Sequence, residues 1–144
     1  DIRVKYSSLR NISIPAKDST DLIDEFPILS IAAACGNGKM SMKGLGELRY
    51  KESNRFLAIE LGLKRCGINV KAIKDNLEII GQNKVIGGCE IDCKSDHRIA
   101  MAFNILNLVS QKPIKIKGNN SIVTSFPGFF ETFKQLGISI KSYE

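Results

Sequence analysis

Residues 63–71 read Leu-Lys-Arg-Cys-Gly-Ile-Asn-Val-Lys, and residues 133–141 read Phe-Lys-Gln-Leu-Gly-Ile-Ser-Ile-Lys, 70 positions further along the chain. In each stretch a helical pattern stops at a glycine, Gly67 or Gly137, and alternating apolar residues typical of a strand follow. Self-similarity at a fixed spacing indicates that copies of one supersecondary unit stack on one another. The sequence therefore predicts a repetitive α+β fold.

The repeat extends outward from these two helix ends. Asp24 begins one compact helical pattern, and Asp96 begins another 72 positions later. Each unit has the predicted order helix, strand, helix, strand, strand. The predicted helices cover residues 24–35, 56–64 and 96–106, with another opening at 124–127, and the predicted strands cover 39–43, 68–73, 77–80 and 112–117. In addition, Leu48 and Tyr50 alternate with polar residues, which predicts the end of a half-buried strand.

The ends of the chain fall within units. Residues 1–20 are interpreted as the end of a preceding unit, with a strand pair between Ile2 and Ile14. Residues 21–95 are predicted to form one unit, and residues 96–144 an incomplete last unit. We therefore expect a single partial domain that belongs to a larger array.

Composition limits the classes of partner and compartment. The 144 residues include 21 Lys and Arg against 15 Asp and Glu, a formal charge of +6 that favours an anionic partner. The longest apolar run, residues 26–35, is too short to span a bilayer, and no signal peptide is visible at the start. Four cysteines with one histidine do not form the spaced sets that zinc needs. We expect a cytoplasmic protein with reduced thiols, no metal and no membrane partner.

A charged cluster precedes the second predicted helix. Lys51, Glu52 and Arg55 lie within five residues, and Ser53 or Asn54 can cap the helix. A helix N-terminus already favours an anion, and the two cations add to that preference. A carboxylate between two cations is available to accept or relay a proton. A solvated helix cap with mixed charges is the simpler alternative.

Charged residues also begin the other predicted helices. Asp24 is at the start of the first, and Asp96, His97 and Arg98 are at the start of the third. If like elements stack, these helix starts converge on one site. Arginine, lysine, carboxylate and imidazole groups together suit a small, multiply anionic substrate that undergoes proton transfer. For His97 the alternative is a structural role at the helix start, with its ring bonded to a neighbouring carbonyl.

Four motifs in this order resemble a known family: Ile-Asp-Glu-Phe-Pro at 23–27, Glu-Leu-Arg-Tyr-Lys-Glu-Ser-Asn-Arg at 47–55, Asp-His-Arg-Ile-Ala-Met at 96–101 and Thr-Ser-Phe-Pro at 124–127. The chain resembles the C-terminal part of the 3-phosphoshikimate 1-carboxyvinyltransferases, also called 5-enolpyruvylshikimate-3-phosphate synthases. The resemblance implies the enolpyruvyl transferase fold, built from six βαβαββ units in two domains, of which this chain holds about two units of the C-terminal domain. It also implies transfer of the enolpyruvyl group of phosphoenolpyruvate to the 5-hydroxyl of shikimate 3-phosphate. This step of the shikimate pathway of aromatic amino acid biosynthesis requires no cofactor.

The resemblance implies catalytic roles for Asp24, Lys51 and Glu52. Asp24 would contact the 5-hydroxyl and accept its proton, and Lys51 would lie between the two substrates. Glu52 would handle the proton at the methylene carbon of phosphoenolpyruvate. These residue types suit the chemistry, because an enol ether becomes electrophilic only when its carbon is protonated.

The resemblance also implies a substrate-binding set: Asp24, Lys51, Arg55, His97 and Arg98. The two arginines would clamp the anionic groups of phosphoenolpyruvate, with His97 as a supporting neighbour. The other implied partner is the missing N-terminal domain of the same protein. We therefore expect the isolated chain to be inactive.

The sequence departs from the family at Asn54, where an aspartate is common, and the lost charge is predicted to loosen the neighbouring Arg55. Two alternatives from other classes stay open. One is a small basic nucleic-acid-binding module, although the aromatic residues occupy mostly core-type positions instead of a basic strand face. The other is a folded, inactive remnant of the transferase.

Overall fold

Helices and short strands alternate along the chain in this computed structural model, which describes residues 1–82 and 84–139. The α-helices are α1 (Phe26–Cys35), α2 (Arg55–Arg65), α3 (His97–Asn107), α4 (Ile122–Ser125) and α5 (Phe129–Gln135). The strands are β1 (Ser13–Ile14), β2 (Lys39–Met42), β3 (Asn69–Ile73), β4 (Asn76–Ile80), β5 (Val85–Gly87), β6 (Glu90–Asp92), β7 (Ser110–Lys112) and β8 (Lys115–Lys117). Short 3₁₀ helices span Ala16–Asp18, Gly46–Tyr50 and Asn119–Ser121. Among these elements, no helix is both long and apolar enough to cross a bilayer.

Helices α1, α2 and α3 pack against one another and form the centre of the core. Each contributes a buried phenylalanine: Phe26, Phe56 and Phe103 are at most 2% exposed. The crossing of α2 and α3 is close, because a Cβ atom added to Gly62 would lie 2.2 Å from the Cζ atom of Phe103. This packing fixes the relative positions of the helix starts, and the charged motif residues lie at these starts or in the segments that lead into them.

A four-stranded sheet covers the first unit in the order β1-β2-β4-β3. Strand β1 runs parallel to β2 with α1 as the connection, and β4 runs antiparallel to both β2 and β3. Leu77 and Ile79 of β4 lie opposite Met42 and Met40 of β2, and all four side chains are buried. The alternation of the sequence thus matches a sheet with one face on the helices. The strands predicted over 39–43, 68–73 and 77–80 are confirmed.

The parallel pairing recurs after β4, in strands of three residues each. Strand β5 pairs with β7 and β6 pairs with β8, and α3 forms the connection. The strand predicted over 112–117 is therefore split in two. The split falls at Pro113, which has no amide hydrogen to donate to a neighbouring strand.

The two helix ends that reveal the repeat adopt the same conformation. Gly67 and Gly137 have φ angles of 84° and 78°, in the left-handed region that glycine adopts without strain. In each copy the glycine amide donates to the carbonyl three residues back, and the next amide donates to the carbonyl five residues back. The repeat is confirmed as far as Ile138, the last residue with a matching hydrogen bond, and residues 140 and 141 lie outside the described residues.

The prediction of a strand pair between residues 2 and 14 is wrong. Only Ser13–Ile14 forms a strand, and it pairs with β2 of the following unit. Ile2, Val4 and Tyr6 are 94%, 88% and 93% exposed. Alternating apolar residues favour a strand only where a partner covers them, and none of the described strands lies beside this segment.

The prediction that a strand ends at Leu48 and Tyr50 is also wrong, because both residues belong to the 3₁₀ helix Gly46–Tyr50. The buried residues here are Leu45 and Leu48, three positions apart, whereas Tyr50 is 85% exposed. A spacing of three is the period of a 3₁₀ helix.

Two helix predictions need adjustment. Helix α1 begins at Phe26, so Asp24 precedes the helix instead of starting it. The helix predicted to open at residues 124–127 is interrupted there: α4 ends at Ser125 and α5 begins at Phe129. The break follows from Pro127, which pushes the preceding residue out of the helical region.

Helix α2 follows the predicted span. Leu57 and Leu61 have helical spacing but are 43% and 45% exposed. The buried face is formed by Phe56, Ile59 and Leu63 instead.

Candidate active site

Arg55, the first residue of α2, is the centre of a buried ion-pair network. Its side chain is 1% exposed. Nε donates to Oδ2 of Asp96 at 2.9 Å, Nη1 donates to Oδ1 of Asp24 at 2.8 Å, and Nη2 donates to Oε2 of Glu52. Each nitrogen of the guanidinium group therefore has a carboxylate partner, the arrangement in which arginine bonds are strongest.

Asp96 is the N-cap residue of α3 and is fully buried. Its Oδ1 atom accepts hydrogen bonds from the amides of Arg98 and Ile99 at 3.0 and 3.3 Å, and its Oδ2 atom accepts from Ser53 Oγ at 2.9 Å as well as from Arg55. Burial acts to raise the pKa of Asp96, but these hydrogen bonds and the charge of Arg55 outweigh it and lower the pKa. The ionised pair joins the start of α2 to the start of α3.

Asp24 is the residue around which the cations meet. Its carboxylate lies 2.8 Å from Arg55 Nη1, 3.8 Å from Lys51 Nζ and 3.9 Å from Arg98 Nη2. Its backbone carbonyl also accepts a hydrogen bond from Arg98 Nη1 at 3.0 Å. Because the Asp24 side chain is 46% exposed, this meeting point faces solvent. The structure thus brings together Asp24, Lys51, Arg55 and Arg98, and Glu52 joins them through Arg55.

Two further carboxylates belong to the cluster. Lys51 Nζ lies 2.7 Å from Oε1 of Glu47, and this hydrogen bond is the main cause that raises the pKa of Lys51. Arg98 Nη1 donates to Oε1 of Glu25 at 3.2 Å. The cluster as a whole comprises the cations Lys51, Arg55 and Arg98 and the carboxylates Asp24, Glu25, Glu47, Glu52 and Asp96.

The sequence did not predict three of these contacts: Arg55 with Asp96, Ser53 with Asp96, and Lys51 with Glu47. It placed Asp96 at one of the helix starts that converge on a site but gave it no role, because an aspartate at an N-cap is common and does not by itself indicate burial. Ser53 was a candidate cap of α2 and instead binds Asp96. Glu47 lies four residues before Lys51, a spacing that commonly forms an ion pair.

His97 begins α3 and is half-buried beside the network. Among the described residues, neither ring nitrogen of His97 has a hydrogen-bond partner, so the alternative of a ring bonded to a carbonyl is not seen. Asp96 performs the capping of α3 instead.

Asn54 is the cap of α2, as one of the two sequence alternatives predicted. Its Oδ1 atom accepts a hydrogen bond from the amide of Leu57 at 3.0 Å. Asp96, Asp24 and Glu52 hold the guanidinium group of Arg55, and residue 54 takes part in none of these contacts. The loosening of Arg55 by Asn54 stays a prediction.

The cluster is an open, charged surface with proton-accepting carboxylates next to cations. Glu52 is 54% exposed and Arg98 is 34% exposed, so an anionic ligand can reach both from solvent. Within residues 1–82 and 84–139, no three His, Cys, Asp or Glu side chains lie close enough together to hold a metal ion. The arrangement places carboxylates that can exchange a proton beside cations that can hold a single anionic group.

Comparison with known proteins identifies the family. The family model described as EPSP synthase (3-phosphoshikimate 1-carboxyvinyltransferase) matches residues 1–133. The chain belongs to the EPSP synthase family. It is 45% identical over 141 residues to the 3-phosphoshikimate 1-carboxyvinyltransferase of Rhodospirillum rubrum, covering 97% of this chain and 31% of that protein. The corresponding protein of Halorhodospira halophila is 42% identical, and the match covers 98% of this chain and 32% of that protein.

Solved structures agree with this assignment. EPSP synthase from Acinetobacter baumannii superposes with a TM-score of 0.88 at 39% identity, covering 95% of this chain and 32% of that one. The enolpyruvyl transferase NikO from Streptomyces tendae superposes with a TM-score of 0.69 at 16% identity, covering 93% of this chain and 29% of that one, a likeness of fold alone. The predicted enolpyruvyl transferase fold is confirmed. The chain spans about a third of the length of the relatives it matches.

Proposed function

We propose that this chain supplies part of the active site of an enzyme that transfers the enolpyruvyl group of phosphoenolpyruvate to the 5-hydroxyl of shikimate 3-phosphate. The observation that carries the proposal is the convergence of Asp24, Lys51, Glu52, Arg55 and Arg98 from three separate segments of a chain in the EPSP synthase family. Both proposed substrates carry phosphate and carboxylate groups, which lysine and arginine bind well.

The proposed reaction gives each of the three catalytic residues a task. Asp24 takes the proton of the 5-hydroxyl while the oxygen bonds to the central carbon of phosphoenolpyruvate. Glu52 delivers a proton to the methylene carbon and removes one again as phosphate leaves. Lys51 lies between the two substrates and stabilises the charge that develops on them.

The proposed binding role differs between the two arginines. Arg98 is partly exposed and can meet a carboxylate or phosphate directly. Arg55 is buried with all of its nitrogens in ion pairs, so a substrate anion can reach it only by displacing Glu52 or Asp24. Displacement would free either carboxylate for proton transfer at the moment the anion binds. His97, next to Arg98 at the start of α3, is proposed to support the bound phosphoenolpyruvate.

The balance of charge supports a site that is completed by another part of the protein. Five carboxylates and three cations meet in the cluster, so on its own it does not attract a multiply anionic ligand. Additional cations must come from outside this chain, which spans about a third of its relatives. We therefore propose that the N-terminal domain of the whole protein supplies them, and that the isolated chain is inactive.

Phosphate release from phosphoenolpyruvate and shikimate 3-phosphate tests this proposal. The chain is assayed alone and joined to the remaining two thirds of the Rhodospirillum rubrum relative. We expect release from the joined protein only. Asp24→Asn and Glu52→Gln should each lower kcat by about 10²- to 10⁴-fold, the usual contribution of a general acid or base.

Glu78→Gln is the matched control for those variants, because Glu78 pairs with Lys39 on the surface of the sheet. It should leave kcat unchanged. Turnover by the chain alone would contradict the shared site, and a folded joined protein that releases no phosphate would favour an inactive remnant. Retention on heparin that is lost in modest salt and is insensitive to phosphoenolpyruvate would favour the nucleic-acid alternative.

A further inference from the structure

Two of the four cysteines are in contact between the end of α2 and the loop that joins β5 to β6. All four are free thiols, and Sγ of Cys66 lies 3.5 Å from Sγ of Cys89. Cys66 is the C-cap residue of α2, whereas Cys89 lies between β5 and β6, 23 positions later in the sequence. The contact therefore connects the end of α2 to the segment between β5 and β6.

Backbone contacts hold both cysteines in place. The carbonyl of Cys66 accepts a hydrogen bond from the amide of Gly87 at 3.3 Å, and the carbonyl of Cys89 accepts one from Lys115 at 2.9 Å. A Cβ atom added to Gly67 would lie 2.8 Å from Cδ1 of Ile86, so the two segments touch directly. A disulfide bond is about 2.0 Å long, and the sulfurs need to close a gap of only about 1.5 Å.

The two thiols differ in accessibility. Cys66 is fully buried, and burial, assisted by the hydrogen bond with Cys89, raises the pKa of Cys66 to about 12. Cys89 is only half-buried. An oxidant from solvent therefore meets Cys89 first, while Cys66 stays protonated beside it.

We propose that Cys66 and Cys89 form a reversible disulfide that peroxide closes and thiol reductants open. Cys89 attacks one oxygen of hydrogen peroxide, which yields a sulfenic acid on Cys89 and one molecule of water. The sulfur of Cys66 then displaces hydroxide from that sulfenic acid, and the hydroxide takes the Cys66 proton and leaves as the second water. Two thiols are oxidised as one peroxide is reduced, and a dithiol such as dithiothreitol reverses the bond by exchange. This modification site does not rest on the proposed function.

Peptide mapping of the wild-type chain after treatment with hydrogen peroxide tests the proposal. Trypsin cuts after Arg65, Lys71, Lys84 and Lys94, and a protease that cuts before aspartate separates Cys89 from Cys93 at Asp92. We expect peptide 66–71 to be linked to peptide 85–91, with the loss of two of the four free thiols. Dithiothreitol should restore both thiols.

Variants assign the pair. Cys35→Ser and Cys93→Ser should keep the link, whereas Cys66→Ser should abolish it and leave a sulfenic acid on Cys89 that dimedone traps. Four results would overturn the proposal: no loss of thiols, sulfinic or sulfonic acid on Cys89 without a link, a link through Cys35 or Cys93, or a link between two chains. Because the mapping uses the wild-type chain, a variant that fails to fold does not affect the test.

Discussion

Helices α2 and α3 each begin with an Asx cap and a nearby arginine, but the burial of these two residues differs between the helices. At α2 the cap is the neutral Asn54 and the arginine, Arg55, is buried. At α3 the cap is the buried, charged Asp96 and the arginine, Arg98, is partly exposed. A buried carboxylate requires a cation, and Arg55 provides it across the two helices. Arg55 therefore joins the two helices, whereas Arg98 is available to a ligand.

Replacing each arginine in turn should distinguish the one that joins the helices, Arg55, from the one that is available to a ligand, Arg98. Arg55→Met leaves Asp96 buried without its cation, and breaking a buried pair in this way costs about 3 to 5 kcal/mol. Arg98→Met removes pairs at a partly exposed position and should change the free energy of unfolding by at most about 1 kcal/mol. Urea denaturation of both variants and the wild type measures the difference. Equal losses of stability would contradict the division between the two arginines.

Acid should weaken the junction at Asp96 specifically. The pKa of Asp96 is lowered in the folded chain, so the folded state binds fewer protons than the unfolded state. The stability that this provides is complete above the ordinary aspartate pKa, which lies near 3.9, and is lost as the pH falls through the folded pKa. We expect the stability advantage of the wild type over Asp96→Asn to shrink between about pH 5 and pH 3.

Glu90 and Asp92 are exposed carboxylates that also have lowered pKa values. Both are present in the wild type and in Asp96→Asn, so their effects cancel when the stabilities of the two proteins are compared. Urea denaturation at a series of pH values measures the difference in stability. A constant difference between wild type and Asp96→Asn across that range would show that the ionisation of Asp96 does not support the fold.

The cap of α2 is expected to contribute less than the buried pair of Arg55 and Asp96. Asn54→Ala removes the hydrogen bond to the amide of Leu57, and loss of a cap typically costs about 1 kcal/mol. Lys64→Ala in the same helix removes only an exposed pair with Glu60 and should cost about 0.5 kcal/mol or less. Thermal denaturation compares the two. A cost for Asn54→Ala as large as that for Arg55→Met would mean that residue 54, instead of the carboxylates, positions Arg55.

Local sequence signals predicted much of the fold. Gly67 and Gly137 stop their helices by the same backbone geometry, which made the repeat visible, and the alternating strands of the first sheet follow from a single buried face. The signals failed where a distant partner decides the outcome. Residues 2–6 have a strand pattern but no strand beside them among the described residues, and Tyr50 alternates like a strand residue within a 3₁₀ helix.

The meeting of five residues could be predicted from motifs, namely Asp24, Lys51, Glu52, Arg55 and Arg98, but their burial could not. The motifs placed Lys51, Glu52 and Arg55 at a helix start, and the structure agrees. Which arginine is buried depends on Asp96, 41 positions from Arg55 in the sequence, and on the close packing of α2 against α3. Such a contact between distant residues leaves no periodic pattern in the sequence.

A double-mutant cycle on Arg55 and Asp96 tests the junction most directly. The free energy of unfolding is measured for the wild type, Arg55→Met, Asp96→Leu and the double variant. Because the two charges are buried against each other, we predict that the double variant loses less stability than the two single variants combined. The difference should be about 2 kcal/mol or more. Single losses that add to within about 0.5 kcal/mol would show that the two residues act independently and would contradict the account.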